Sequence, residues 1–165
     1  MTQTHQDKMR KLINLMESAE LEETLNPDEK RVMHLYHNQT TPISRSYIDG
    51  IFTTEGNRLN GKNIQDLSLD AMNSIIDDCQ DFYNECANNR VDFRTNYALN
   101  SKHKMIFEAD FGFNFWITRN DYGEPFLEED WNAPYNEILN RIAHSFKPLN
   151  VYVDDSGVIQ IKKRR

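Results

Sequence analysis

The sequence predicts an α+β domain in which a small antiparallel sheet packs against helices, preceded by an N-terminal helical hairpin. Three observations carry this prediction. Apolar residues recur every three to four positions through most of the first 90 residues, alternate between about 105 and 118, and end in two short apolar runs joined by a turn. The expected element order is α-α-α-β-β-α-β-β. A chain of 165 residues is long enough to bury a core without metals or disulfides.

The first 46 residues are expected to form the hairpin as an N-terminal helical extension, followed by an α+β core domain over residues 47–165. Residues 5–24 predict an amphipathic helix whose apolar face is formed by Met9, Leu12, Ile13, Met16 and Ala19. The second helix begins cleanly, because Asn26 can cap it, Pro27 suits its first turn and Glu29 completes a capping box. The methionine-rich first helix could pack on its own domain or on a second copy, so a homodimer stays open.

Helices dominate the first half of the predicted core domain. Ser44 or Ser46 is expected to cap a short helix through Ile51, and the Gly- and Asn-rich residues 55–63 predict a loop. Ser68 caps the strongest helix of the chain, whose apolar face is formed by Met72, Ile75, Ile76, Cys79, Phe82, Tyr83 and Cys86.

The second half of the core domain supplies the predicted sheet. Strands are expected at residues 105–109 and 113–118, where the side chains of Phe113, Phe115 and Ile117 would share one face and those of Asn114, Trp116 and Thr118 the other. Asn132-Ala-Pro134 should open a helix that Pro148 closes. The final residues predict a hairpin of Val151–Val153 and Val158–Ile161, with Gly157 supplying a positive φ in the turn.

Composition indicates a cytoplasmic protein with a well-solvated surface. The net charge is -7, charged residues make up 27% of the chain, and the mean hydropathy is -0.76. No apolar run approaches the roughly 18 residues that span a membrane, and the N-terminus lacks the apolar core of a signal peptide. Because duplex binding depends on cations that neutralise phosphates, the acidic body argues against broad DNA binding.

Catalytic and metal-binding signatures are missing from the sequence. Neither a Gly-x-Ser-x-Gly nucleophile motif nor a phosphate-binding glycine loop occurs, and Cys79 and Cys86 fall in an apolar stripe. His34-x-x-His37 has the spacing of a metal pair, but no further ligands accompany it. We therefore expect no cofactor and no metal, and favour a non-enzymatic role.

The turn after the second predicted strand is the main candidate site. Its residues, together with a tryptophan a few positions later, are candidates for binding a partner or ligand: Trp116, Arg119, Asp121, Tyr122, Glu124 and Trp131. A guanidinium beside a tyrosine and two carboxylates could recognise a charged group bidentately. Alternatively, Arg119 pairs with Asp121 or Glu124 and only fixes the loop.

A second candidate surface is the acidic side of the Ser68-capped helix, formed by Asp77, Asp78, Asp81 and Glu85. Closely spaced carboxylates can imitate the phosphates of a nucleic acid toward a basic protein. The plainer interpretation is an ordinary solvated helix face.

Four segments between Tyr47 and Ile161 resemble motifs of small proteins encoded by bacteriophages and prophages. They are Tyr47-Ile48, Asp78-Cys79-Gln-Asp-Phe82, Phe115-Trp-Ile-Thr-Arg-Asn-Asp-Tyr-Gly123 and Tyr152-Val-Asp-Asp-Ser-Gly157. The third is the most specific, and it is similar to a Phe-Trp-Leu-Thr-Arg-Asn-Gly-His-Gly pattern. Here Asp121-Tyr122 replaces Gly-His, so chemistry that depends on that histidine would be missing.

The resemblance implies a phage accessory protein and supplies no activity. Three hypotheses follow from the sequence. The first is a non-enzymatic protein that binds and modulates a host protein, in host takeover or anti-defence. The second is an acidic mimic that competes with nucleic acid for a basic DNA-binding protein. The third is a small-ligand binder or enzyme that uses the turn of Arg119, Asp121 and Glu124.

Overall fold

A computed structural model describes residues 8, 10, 11, 13, 14, 16, 23–100, 102 and 107–165, with the backbone alone at 96 and 97. Its elements are, in order, α1 (Pro27–Gln39), α2 (Pro42–Thr54), a 3-10 turn (Ile64–Asp66), α3 (Leu69–Asn88), α4 (Asn96–Leu99), α5 (Glu108–Arg119), α6 (Pro125–Glu128), α7 (Tyr135–Ser145), β1 (Leu149–Val153) and β2 (Ile159–Lys163). The predicted α+β class, with a small antiparallel sheet packed against helices, is confirmed.

The C-terminal hairpin has the predicted form. Strands β1 and β2 pair antiparallel, with Val151 opposite Ile161, and Gly157 adopts a φ of +81° in the turn between them. The alternating residues Leu149, Val151 and Ile159 are buried, so one face of the hairpin packs on the helices. The backbone N–H of Ser68 donates to the carbonyl of Ile159 at 2.9 Å, which attaches the sheet to the start of α3.

Capping chemistry sets the helix starts. Asn26 forms the predicted capping box with Glu29, and the backbone N–H of Ala71 donates to Ser68 Oγ at 3.0 Å. The predicted cap of α2 is wrong. Thr41 is its N-cap and Pro42 its first residue, which leaves Ser44 in the third helical position and Ser46 further inside. Pro42 suits this position, because proline fits the first turn of a helix.

Two N-terminal predictions concern the helix over residues 5–24 and the boundary between residues 46 and 47. The predicted helix over residues 5–24 lies largely outside the described residues, Met9, Leu12 and Ala19 among them. The boundary between residues 46 and 47 falls inside α2, where Ile43 and Ser46 on one side of it and Tyr47 and Ile48 on the other are all buried.

The predicted strand at 113–118 is wrong, because these residues lie within helix α5. Of the predicted strand at 105–109, Met105 and Ile106 lie outside the described residues, whereas Glu108 and Ala109 begin α5. The alternation misled because α5 is enclosed on most sides, with six buried residues between positions 111 and 118. A helix buried on most sides loses the single apolar stripe that reveals helical periodicity.

Helices α2 and α5 pack together so closely that glycine is required at the crossing. A Cβ added at Gly112 would collide with the carbonyl oxygen of Ile43, and one added at Gly50 would lie 2.8 Å from Trp116 Cδ1. The short side chain of Ser46 turns back to the carbonyl of Ile43, donating at 3.0 Å. This crossing places α5 at the centre of the core and fixes where the turn that follows it reaches the surface.

The tightness of the crossing gives a first prediction. Gly112→Ala should lower the free energy of unfolding by about 3 kcal/mol, because the added methyl forces two backbones apart in a packed core. Gly123→Ala is the matched control, since its added Cβ would meet only Ile117 Cγ2 at an ordinary 3.6 Å. This control should change stability by less than about 0.5 kcal/mol in urea unfolding. Equal stabilities of the two variants would contradict the close crossing.

Candidate functional site

Arg119 lies at the C-terminal end of α5, with its side chain inside the protein. It is 1% exposed, and its guanidinium contacts three other parts of the chain. Nη1 donates to Asp78 Oδ2 of α3 at 2.5 Å and to the Tyr47 hydroxyl of α2 at 3.0 Å, while Nε donates to the carbonyl of Lys147 at 2.8 Å. Arg119 thus ties α2, α3 and the segment before β1 to α5.

The surroundings of this guanidinium are aromatic. Its central carbon lies 5.7 Å from the ring centroid of Phe115 and 5.5 Å from that of Phe146. Burial raises the pKa of the Tyr47 hydroxyl well above its ordinary value, and the charge of Arg119 only partly opposes this, so the tyrosine stays neutral. The ion pair of Arg119 and Asp78 is therefore partly shielded from water. Removing either partner of such a pair leaves a charge that is not compensated.

The partner of Arg119 differs from both sequence-based alternatives. Arg119 forms no ion pair with Asp121 or Glu124, although all three belong to the described chain. It pairs instead with Asp78, which was predicted as part of the acidic helix face. The structure thus joins one residue from each predicted site, and leaves Asp77, Asp81 and Glu85 as the exposed carboxylates of that face.

The predicted binding turn is the C-terminal cap of α5. The N–H of Tyr122 donates to the carbonyl of Ile117 at 3.0 Å and that of Asp121 to the carbonyl of Thr118 at 3.3 Å, the two bonds of a Schellman motif. Asp121 adopts a φ of +60°. Glycine is the usual residue at this position of a helix cap.

Asn120 fixes the same cap from the inside. Its amide donates to the carbonyl of Trp116 at 3.0 Å, and its Oδ1 accepts from the N–H of Leu149 at 2.7 Å. The turn backbone is therefore held both by α5 and by the first residue of β1.

Tyr122 projects from this fixed turn and is 45% exposed. Its hydroxyl donates to Glu55, a buried carboxylate that also pairs with Arg58 at 3.4 Å. Partial burial, followed by the hydrogen bond to Glu55 and the charge of Glu55, raises the pKa of Tyr122 above its ordinary value. The ring is thus held in place at one end while much of its surface faces solvent.

An imidazole that the sequence did not suggest approaches the turn from α7. His144 Nε2 lies 3.4 Å from Glu124 Oε1, and Nδ1 lies 3.9 Å from Asp121 Oδ1. Asn140, one turn earlier, reaches the same Glu124 oxygen at 3.4 Å. Only the amphipathic pattern of α7 could have indicated the contact with Glu124. Asn140 and His144 lie on the side of this helix that is away from the apolar residues Ile138 and Ile142.

The two candidate tryptophans are buried. Trp116 is fully enclosed between α5 and α2, where its indole N–H donates to Thr54 Oγ1 at 2.8 Å. Trp131 is 7% exposed and packs against Phe111 and Phe126, with ring centroids 4.9 and 5.4 Å away. Of the six predicted turn residues, Asp121, Tyr122 and Glu124 face solvent, and Trp116, Arg119 and Trp131 do not.

Two findings bear on metals and membranes. Among the described residues, no group of three or more His, Cys, Asp or Glu side chains is arranged to hold a metal ion, and this includes His34 and His37. No helix in the same part of the chain is long and apolar enough to cross a membrane.

Comparisons with known proteins return no relative. No family model matches the chain, and no curated protein or solved structure is significantly similar to it.

Arg119 gives a second prediction. Arg119→Met should lower the free energy of unfolding by about 3 kcal/mol or more, because Asp78 and the Tyr47 hydroxyl lose their buried partner. Arg31→Met is the control, since Arg31 pairs with Asp28 at a site where both side chains are exposed, and such a pair should contribute about 1 kcal/mol or less. Replacing Asp78 by Asn in the Arg119→Met background should recover part of the loss in urea unfolding. A loss no greater than that of Arg31→Met would contradict the buried pair.

The backbone of Asp121 gives a third prediction. Asp121→Gly should raise the free energy of unfolding by about 0.5 to 1 kcal/mol, whereas Asp121→Val should lower it by about 1 kcal/mol, because only glycine tolerates a positive φ without strain. Arg90, two residues after the end of α3, adopts a φ of +62° and provides a parallel test, so Arg90→Gly should also stabilise. Thermal unfolding measures all three changes. Destabilisation by both glycine substitutions would contradict the assigned helix caps.

Proposed function

We propose that this chain is a phage-encoded accessory protein that binds and modulates a host protein in the host cytoplasm, without catalysis of its own. The phage origin rests on the motif resemblance. The binding role rests on one structural observation, the exposed ring of Tyr122 between the carboxylates of Asp121 and Glu124. The role in host takeover or anti-defence follows from the two together.

The geometry of Tyr122 suits a protein contact. Tyrosine is enriched among the residues that contribute most to protein–protein binding, where a desolvated aromatic is surrounded by a polar rim. The Schellman motif and the hydrogen bond to Glu55 fix this ring before binding, which reduces the entropy lost on association. The carboxylates beside it favour a partner with a basic rim.

Helix α7 extends the proposed contact surface. His144 and Asn140 contact Glu124 on one side of α7, and Arg141 reaches Asn89 at the end of α3 on the other, at 3.2 Å. The exposed face of α7 thus lies between the turn and α3, whose solvent side carries Asp81 and Glu85. A partner that covers Tyr122 and α7 would meet carboxylates on both flanks.

The side chains whose pKa values the fold raises most support a role without catalysis. Burial raises the pKa of the Cys79 and Cys86 thiols and of the Tyr47 hydroxyl, so these groups stay protonated and weakly nucleophilic. Arg119 is engaged in the core, so the ligand site that needed Arg119, Asp121 and Glu124 to converge lacks its cation at the surface.

The test is affinity capture of the tagged protein from bacterial lysates, comparing the wild type with Tyr122→Ala. Tyr152→Ala, which removes a half-buried ring from the hairpin, is the control. We expect one stoichiometric partner that is retained by the wild type and the control at high salt and is lost from Tyr122→Ala. A partner captured equally by all three proteins, or no partner in any susceptible host, would contradict the proposal.

The acidic-mimic hypothesis remains the second candidate, because Asp77, Asp81 and Glu85 are exposed within about two turns of α3. In the same experiment a mimic would capture DNA-binding proteins that dissociate as salt rises. Reversing Asp77 and Asp81 to lysine would abolish that capture, whereas Tyr122→Ala would leave it intact.

A further inference from the structure

A cavity lies beside α3 where the ends of three other helices meet its side. Helix α1 ends at Gln39 and α2 begins at Pro42, so the chain turns a corner within two residues. Gln39, Thr41 at the start of α2 and Glu108 at the start of α5 all line this cavity, which has a volume of about 240 Å³. Helix ends that pack against the side of α3 thus leave a space open between them.

The inner wall of the cavity is apolar. Ile43 and Cys79 are each 3% exposed, and Ile76, one turn before Cys79 on the same face of α3, is half-buried. Ser44 also lines the wall, but its hydroxyl accepts from the N–H of Thr41 at 2.8 Å and donates to the carbonyl of Thr41 at 3.1 Å. These inner residues therefore favour an apolar occupant.

The mouth of the cavity combines an aromatic ring with a carboxylate. Tyr83 is 41% exposed, and its ring stacks on that of Phe93 with the centroids 5.0 Å apart, which holds it as a side wall. Glu108 is exposed and is the only charged side chain among the described residues that line the cavity. It forms no ion pair with any residue that the structure describes. Because carboxylates and aromatic faces both attract ammonium groups, the mouth favours a cation.

The start of α2 does not change this preference. A helix N-terminus attracts anions through N–H groups that lack a partner. The N–H groups of Thr41 and Ser44 are both used in the capping box of α2, and Pro42 has none. The electrostatic character of the mouth therefore depends on Glu108.

The volume of the cavity limits the size of its occupant. An apolar cavity of about 150 Å³ can hold benzene. A cavity of about 240 Å³ therefore has room for one aromatic ring with a short chain, and it is smaller than most sites for drug-sized ligands.

We propose that this cavity binds a small amphiphilic cation. Its apolar body packs against Ile43, Ile76 and Cys79, and its ammonium group lies at the mouth beside Glu108 and Tyr83. Helix α5, about 18 Å long, separates Glu108 at its start from the Tyr122 turn at its end. The site is thus distinct from the surface proposed to bind a host protein, and either proposal can fail without the other.

NMR titration of the full chain with phenethylammonium tests the site. We expect saturable shifts of the backbone amides around the cavity, those of Ser44 and Cys79 among them, with a Kd of about 1 mM or lower. Hydrocinnamate carries a carboxylate instead of the ammonium group on the same ring and chain. It should bind about fivefold more weakly or worse, because it meets the charge of Glu108 with its own.

Substitutions of Glu108 test the charge assignment. Glu108→Gln should weaken the binding of phenethylammonium by about threefold to fivefold. Glu108→Lys should reverse the preference, so that hydrocinnamate binds more tightly than phenethylammonium. Glu137→Gln is the matched control, since Glu137 is also an exposed carboxylate in the first turn of a helix, α7. It should bind both probes like the wild type.

The apolar wall has its own test. Ile76→Ser should weaken both probes by about fivefold or more, because it removes apolar contact area. Ile138→Ser, which replaces a half-buried isoleucine of α7, should leave both affinities unchanged. Circular dichroism checks that each variant is folded. Shifts that do not saturate, or that occur away from the cavity, would overturn the proposal. Equal affinities of the two probes for the wild type would also overturn it, as would an unchanged preference in Glu108→Lys.

Discussion

The buried guanidinium of Arg119 holds α2, α3 and α5 in register and binds the carbonyl of Lys147 just before β1. It can reach all of them because glycine at the α2–α5 crossing brings α5 to the centre of the core. One consequence concerns the surface. The guanidinium of Arg119, the predicted cation of a ligand site at the turn, is internal. The side chains of the turn that face solvent are therefore those of Tyr122 and of the two carboxylates, Asp121 and Glu124.

Much of the fold could be predicted because its signals are local. The capping box at Asn26, the Ser68 cap of α3 and the Gly157 turn each depend on residues close in sequence. The segment of helix α5 was predicted as a strand, because Phe113, Phe115 and Ile117 alternate with other residues in a segment that is buried on most sides. Glu108 and Asp110 in its first turn, Arg119 in its last, and the Asn120-Asp121 cap are ordinary helix signals, and they were outweighed by aromatic content typical of strands.

The candidate site was only partly predictable, because its decisive contacts are distant in sequence. Arg119 is 41 residues from Asp78 and 72 from Tyr47, so neither partner could be chosen from spacing. His144 reaches Glu124 across 20 residues because α7 packs beside the turn. The segment Phe115–Gly123, singled out from the sequence as the candidate site, forms the end of α5 and its C-terminal cap.

Arg119 organises the fold because its side chain is buried and paired. Hydrogen exchange of its Nε–H, followed by NMR at neutral pH, measures this burial, because Nε donates to the carbonyl of Lys147 inside the protein. We expect this proton to exchange as slowly as the backbone amides of α5 and only when the core opens. Exchange as fast as that of the exposed Arg58 side chain would contradict it.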